Sequence, residues 1–510
     1  MKTRLISLLL VLVTCLGLLA SCGGVVNNKP GENTQGGGNR TEEGGWDGVS
    51  FKGQKVNFCI SVNKYDECTF PAADIYTKGP DTAGSNEVAK EVIARNAAAE
   101  KDLDITINYS TKDLTYDKIL EDVRKIVQTS ATNSPDVYNN DLYGLGRAMV
   151  DGLLWNVSDP GEGIQNYFDF NAEGWYTEFM KGCTFDQSKQ YVFAGDYFID
   201  MIRMAWVVYV NVDLYEQNIN KMPTWGATLD SFYDFVADGF WDLDSIADIS
   251  RRVFTDDAGG TAGVTEINDR IVGLATNAVM NRIISAGSQI TVYYQDKEDG
   301  YKPKVMQSID TYQKVANKYV DMLDSLGVYY DALVVDSTNR FLQGNFLFAY
   351  SRLGEMESQG LRDFIAAKSL VPMPKWDIDE QDEYHTVVHD QVEVGCILNT
   401  AQAYSAASAL MQYLNENSEK VVTAYYEKGL KYKYNDDENA REMMDLVRAT
   451  TDSPFSWQIG ILCNDLYTGS GTLADLSLAN KDTVGSSFAQ NKDAYNNCLK
   501  LMLEKFAKLQ

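Results

Sequence analysis

The sequence predicts an α/β protein with an open, largely parallel sheet and more than one lobe. Three observations carry this. Strand-like and helix-like patterns alternate from residue 55 onward. The chain has 510 residues, far more than one hydrophobic core usually spans. Hydrophobic residues make up 45% of it, a globular proportion, and past residue 22 no stretch is long and apolar enough to cross a bilayer.

Residues 55–61 (KVNFCIS) read as a strand, and residues 86–101 follow with Val88, Val92 and Ile93 at helical spacing on one face. Residues 104–109 (DITINY) alternate as a second strand. Residues 116–129 place Ile119, Val123, Ile126 and Val127 on one helical stripe, and residues 136–140 (DVYNN) make a third strand. Strand, helix, strand, helix, strand argues for parallel βαβ units, in which ligands bind beyond the carboxyl ends of the strands.

Two strand ends therefore draw attention: Val62, Asn63, Lys64, Tyr65 and Asp66 after the first strand, and Asn139 through Tyr143 after the third. Amides, a carboxylate and tyrosine rings suit hydroxyl-rich ligands, because each hydroxyl both donates and accepts while an aromatic face covers the apolar side of a sugar ring. Asn and Asp also build turns, and that reading stands beside the first. Residues 206–214 form a further apolar strand, and helical stripes recur at residues 229–237, 309–326, 401–414 and 443–447. No internal repeat of fixed period is present.

The amino terminus, MKTRLISLLLVLVTCLGLLASC, is an export signal: a charged start, an apolar run and a small-residue ending. The run from Leu5 to Ala20 is shorter than the roughly 20 residues a membrane span needs, and Thr14 and Gly17 weaken it further. Leu19-Ala20-Ser21-Cys22 resembles the bacterial lipobox, in which cleavage precedes the cysteine and its sulfur receives a diacylglyceryl group. Residues 1–21 are then the signal and Cys22 the lipidated first mature residue; a plain secretory signal with a chance cysteine is the alternative. Residues 22–48 are rich in Gly and Asn and predict a flexible linker, with packing starting near Trp46.

The net charge of −27, or −29 without Lys2 and Arg4, and the lack of a Lys/Arg stripe exclude nucleic acid as a natural partner. The acidity serves solubility. Six cysteines remain beyond Cys15 and Cys22 (Cys59, Cys68, Cys183, Cys396, Cys463 and Cys498), without a CxxC or other metal pattern. Their disulfide state is open at this level.

Several phrases together resemble the family 1 extracellular solute-binding proteins of ABC importers. Residues 135–159 (PDVYNNDLYGLGRAMVDGLLWNVSD) are similar to that family's segment in which a strand ends at the ligand and a helix leads to Gly-Leu-Leu. Residues 206–217 (WVVYVNVDLYEQ) and 222–235 (MPTWGATLDSFYDF) resemble its tyrosine-asparagine-x-aspartate strand and the helix start that follows. Residues 241–260 with 268–276, then 341–357 (FLQGNFLFAYSRLGEME) and 369–386 (SLVPMPKWDIDEQDEYHT), continue the match in order.

The resemblance implies a type II periplasmic-binding-protein-like clamp, two α/β lobes joined by crossover strands near residues 195–203 and 388–394. Lobe 1 would hold residues 49–198 and 390–432, lobe 2 residues 199–389 and 433–510. Ligand roles carried across fall on Asn63, Lys64, Asn140, Asp141 and Tyr143, and on Tyr350 and Arg352 after Phe341. Tyr197, Asp200 and Arg203 precede the crossing strand. Trp457 is a stacking candidate, as are Trp175 and Trp206. Where maltose-type receptors place a tryptophan and then an aspartate and an arginine, this chain has Asn140, Tyr143 and Gly144, which argues against maltodextrin.

The implied function is capture without chemistry: a monomeric lipoprotein on the outer face of a single-membrane, Gram-positive cell binds a sugar, most simply an oligosaccharide, and passes it to an ABC permease. No cofactor, metal or enzymatic step is implied. A peptide-like or other polar solute is the alternative cargo. The rival class is a surface glycoside hydrolase or other carbohydrate-active lipoprotein. It needs two carboxylates about 5 to 9.5 Å apart, and with 72 acidic residues any pair can be nominated. No Gly-x-Ser-x-Gly elbow or P-loop occurs. An adhesion protein would show β-rich repeats. His385 and His389, the only histidines, invite a zinc reading, but Thr386-Val387-Val388 favours a strand, on which they would stand about 13 Å apart.

Overall fold

The structure of the chain, a computed structural model, describes residues 37–41, 45–61, 76–80, 84, 86–131, 133–256, 261, 263–331, 337–389, 392–426, 438–452, 455, 459, 462 and 478–509. Cys22, Asn63, Lys64, Cys68, Trp457 and Cys463 lie outside these residues. The strands are β1 (Gln54–Ser61), β2 (Ile105–Lys112), β3 (Val137–Asp141), β4 (Val192–Phe193), β5 (Trp206–Asn211), β6 (Val272–Asn277), β7 (Tyr293–Asp296), β8 (Lys302–Val305), β9 (Val328–Asp331), β10 (Phe346–Arg352), β11 (Lys368–Pro372) and β12 (Glu393–Ile397).

They form two five-stranded mixed sheets and one hairpin, β7-β8. The first sheet has the order β2-β1-β3-β12-β4: β1 runs parallel to β2 and β3, while β12 lies antiparallel between β3 and β4. The second has the order β11-β5-β10-β6-β9, with β10, β6 and β9 parallel and β5 antiparallel to both β10 and β11. Every residue of β3 and of β5 is buried, as expected of strands covered by helices on both faces. The chain thus completes the first sheet through β4, builds the second, and returns to insert β12.

Local chemistry sets the element ends. Asn86 caps the helix Glu87–Leu103 by accepting from the Ala89 N–H at 3.1 Å, and Asp104, at φ 52°, ends it and turns the chain into β2. The apolar stripe of the helix Ile119–Thr129 packs against the helix Leu142–Val150. That approach requires Gly144, since a Cβ there would stand 2.5 Å from Ile119. The strand expected over residues 206–214 ends at Asn211, because the Asn211 amide accepts from the Leu214 N–H at 3.0 Å and starts the helix Val212–Gln217.

Among the described residues, contacts of the amino-terminal segment with the body extend back from Trp46 to Gly37, whose N–H donates to the Ser50 carbonyl at 2.7 Å. The Tyr167 hydroxyl donates to the Gly38 carbonyl at 2.6 Å, and Arg40 Nη2 donates to Glu416 at 2.8 Å. The Arg40 guanidinium lies 4.4 Å over the Trp46 ring, whose Nε1–H reaches the same Glu416 at 3.1 Å, and Trp46 also meets the rings of Tyr167 and Tyr413. Trp46→Ala is expected to destabilise the protein by about 2 kcal/mol, from lost ring contacts and the loss of one donor to Glu416. Urea unfolding measures this; an unchanged midpoint and slope would show the segment to be undocked.

Candidate functional site

The strand directions point to a candidate site. In the first sheet β1, β2, β3 and β4 all end on one side, and in the second sheet β6, β9, β10 and β11 do likewise. The first crossing leaves from the carboxyl end of β4 and enters β5; the second leaves from the carboxyl end of β11 and enters β12. Both connections therefore join the carboxyl-end side of one sheet to that of the other, the side on which open α/β sheets bind ligands.

The two crossings also pair with each other. Trp206 N–H donates to the Val387 carbonyl at 2.9 Å and His389 N–H to the Met204 carbonyl at 3.0 Å, flanking an antiparallel bridge between Ala205 and Val388. Thr386 pairs in turn with Thr451, its N–H donating to the Thr450 carbonyl at 2.7 Å. A small recess lies beside this ribbon, lined by Tyr176, Ile202, Ala205, Leu353, Met444, Val447, Arg448 and Thr451. At its rim Asp196 accepts from the Tyr176 hydroxyl at 3.1 Å and from Arg448 at 3.2 Å, and burial pushes the Asp196 carboxyl up.

Two charged pairs sit at the end of β10. Arg352 Nη2 donates to Glu355 at 3.2 Å, and its guanidinium lies 5.9 Å from the Trp206 ring centroid. The His389 ring stacks on the same indole at 5.9 Å, and the buried Trp206 Nε1–H has no hydrogen-bond partner among the described residues. Arg203, only 1% exposed, donates from Nε to Glu357 at 2.9 Å. On sequence alone Glu355 and Glu357 are not ligand candidates and His389 is one only for the zinc reading; the one sequence signal is their place just after a strand end or within a crossing.

The remaining candidates divide between the junction and the core. Asp141 caps the helix Leu142–Val150, accepting from the Gly144 N–H at 2.9 Å, and the buried Asn140 accepts from the Asp141 N–H at 2.9 Å. Tyr143 is half-buried, its hydroxyl accepting from Arg147 at 2.8 Å and its ring meeting Tyr116 edge-on at 5.0 Å. Asp200 opens the single-turn helix Asp200–Arg203 within the first crossing. Tyr197 and Tyr350 are core residues in this structure, each 1% exposed. The Tyr197 hydroxyl donates to Asn139 at 2.9 Å, and that of Tyr350 points at the Met322 sulfur at 3.8 Å, so neither ring offers a face to a solute. Trp175 is equally committed, donating to Gln412 at 3.1 Å inside an aromatic cluster.

His385 and His389 belong to the second crossing and serve different partners: His385 Nδ1 lies 2.6 Å from Asp452, while His389 covers Trp206. Cys498 is disulfide-bonded, and Cys59, Cys183 and Cys396 are buried free thiols. Burial pushes the Cys59 thiol up to about 11, and those of Cys183 and Cys396 further up. Because the thiolate is the nucleophile, iodoacetamide at pH 8 is expected to leave all three unmodified until denaturant is added. Peptide mass spectrometry reads this out, and stoichiometric labelling of native Cys59 would contradict it.

No family model and no curated protein matches the chain. Solved structures of similar shape include an ABC substrate-binding protein from Listeria monocytogenes in complex with cycloalternan, at 12% identity and a TM-score of 0.48 over 88% of this chain and 99% of that one. The galacto-N-biose-/lacto-N-biose I-binding protein of an ABC transporter from Bifidobacterium longum gives 12% and 0.49 over 87% and 98%. A family 1 extracellular solute-binding protein from Bifidobacterium longum subsp. infantis gives 16% and 0.46 over 90% and 100%. At such identities and TM-scores, none of these likenesses decides a ligand or an activity.

Proposed function

We propose that this chain is a lipid-anchored solute receptor that encloses a sugar, most simply an oligosaccharide, between two lobes and delivers it to an ABC importer. The observation that carries the reading is the apposition of the carboxyl ends of both sheets across a hydrogen-bonded pair of crossing strands. Such a joint lets two bodies rotate about a short ribbon and enclose what lies between them. The motif resemblance described above supports the same reading.

In this proposal the lobes divide near residues 198 and 390 and again near 432. Asn63 and Lys64 beyond β1, Asn140 and Asp141 at the end of β3 with Tyr143 beyond it, Asp200 and Arg203 in the first crossing, Arg352 at the end of β10, and Trp457 contribute contacts. Trp206 adds a buried indole N–H available to accept-rich solutes. Its ring already meets Arg352 and His389, which disfavours it as a stacking platform. Arg352 and Arg203 each carry a carboxylate partner, so the pairs bring no net charge, which suits an uncharged polyhydroxyl cargo.

Cys22 anchors the receptor to the outer face of the membrane of a single-membrane cell, where it works as a monomer beside its permease and performs no chemistry on the cargo. A thermal-shift screen of the mature protein against mono- and oligosaccharides, amino acids and polyamines tests the cargo. Saturating sugar at 100 times its Kd should stabilise the folded state by about 2.7 kcal/mol. A response confined to noncarbohydrate solutes would overturn the sugar assignment, and appearance of hydrolysis products would replace the receptor by the hydrolase.

A further inference from the structure

We propose that Glu357 is a closure latch, a positioning residue on the second-sheet side that holds the two lobes together without touching the cargo; this rests on the two-lobed receptor reading. Glu357 ends the short helix Leu353–Glu357 that follows β10, and Leu353 N–H donates to the Ala205 carbonyl at 2.8 Å, so this helix starts on the crossing ribbon itself. Its carboxylate receives three donors from elsewhere. Oε1 accepts from Arg203 Nε at 2.9 Å and from the Tyr425 hydroxyl, and Oε2 accepts from the Tyr76 hydroxyl at 2.8 Å.

Both tyrosines belong to the first-sheet body, and one buried side chain fixes them there. Arg95, on the helix Glu87–Leu103, donates to the Thr77 carbonyl at 3.3 Å, next to Tyr76. It also donates to the Ser418 hydroxyl at 2.8 Å, at the start of the short helix Glu419–Thr423 that leads to Tyr425, and to the Tyr197 carbonyl at 3.0 Å. The Tyr76 and Tyr425 rings meet edge-on at 5.6 Å, and the Arg203 guanidinium lies 4.8 Å over Tyr76. A carboxylate from one body thus plugs into a cage of two hydroxyls preset by the other, with Arg203 of the crossing supplying the counter-charge.

The physical consequence is specific. Arg203 sits on the ribbon, so its ion pair with Glu357 can survive rotation of the lobes, whereas the two tyrosine hydrogen bonds span the bodies and break when they part. Charge-assisted hydrogen bonds out of water are among the stronger single ties a protein makes. Losing both hydroxyls shifts the ligand-free population toward the open form.

Small-angle scattering of the ligand-free mature chain tests this without any cargo. The double variant Tyr76→Phe with Tyr425→Phe keeps both rings and removes only the hydroxyls; Glu357→Gln removes the charge. Both are expected to raise the radius of gyration and lengthen the distance distribution, while melting as single folded species. The same radius and distribution as the unsubstituted protein in the folded tyrosine variant would overturn the latch. If Glu357→Gln fails to fold, the tyrosine variant alone decides. Because no solute is present, failure of the sugar screen leaves this result readable, and a latch effect without any binding solute would count against the receptor reading alone.

Discussion

Asp136→Ala is expected to cost about 4 kcal/mol, enough to unfold the first sheet's body well before the second. Asp136 is 1% exposed and immediately precedes β3. One carboxylate oxygen accepts from the Asn57 N–H of β1 at 2.9 Å; the other accepts from the N–H groups of Gln402 and Ala403 at 2.8 and 3.0 Å, just ahead of the helix Tyr404–Glu416. Its backbone adds a donor bond to Asn57 and an acceptor bond from Leu398. Alanine would remove the acceptor of three backbone donors at the seam of two strands and a helix, that of Ala403 fully buried and those of Asn57 and Gln402 less so, and a buried donor left unmade costs about 1–3 kcal/mol. Chemical denaturation followed by tryptophan fluorescence measures the loss, and a change below about 1 kcal/mol would contradict the assignment of Asp136 as the seam's hub.

Trp241→Ala is expected to cost the second body a similar amount, about 3–5 kcal/mol. Trp241 is fully buried, edge-on to Phe232 at 5.4 Å and near Phe348 of β10 at 5.7 Å, and its Nε1–H donates to the carbonyl of Pro372 at the end of β11 at 3.1 Å. Its backbone N–H donates to the Tyr384 hydroxyl and its carbonyl accepts from Lys375 N–H. The truncation opens a cavity and strands the Pro372 carbonyl. Compared with Asp136→Ala, it should lower a different part of the unfolding profile. If both variants shift one indivisible transition equally, the two bodies unfold as one unit.

Much of this architecture is legible in the sequence, and the parts that are not have physical reasons. The strands and helices up to residue 141 announce themselves through Val88, Val92, Ile119 and Val123 at helical spacing and through alternating DITINY. The insertion of β12 between β3 and β4 is not legible, because strand neighbours far apart in sequence leave no local periodicity. The end of β5 at Asn211 was missed because an apolar run looks alike as strand or helix until a capping amide is recognised.

The site divides the same way. Asn140, Asp141, Tyr143, Arg203 and Arg352 are found at or near the ends of strands, since polar residues after an apolar strand mark such ends in any open α/β sheet. Tyr197 and Tyr350 lie buried, their hydroxyls meeting Asn139 and Met322, which the sequence does not show because a tyrosine in a motif carries no sign of which way it faces. Glu357 and Tyr76 were invisible for the opposite reason: their meaning comes from partners 281 residues apart.

The central claim is that two bodies close around an unmodified solute. It is tested most directly by small-angle scattering of the mature protein titrated with the best sugar from the thermal-shift screen, followed by chromatography of the recovered sugar. The account predicts a saturable decrease in the radius of gyration and quantitative return of intact sugar. A radius that does not change at saturation, or a sugar returned as cleaved products, would contradict it.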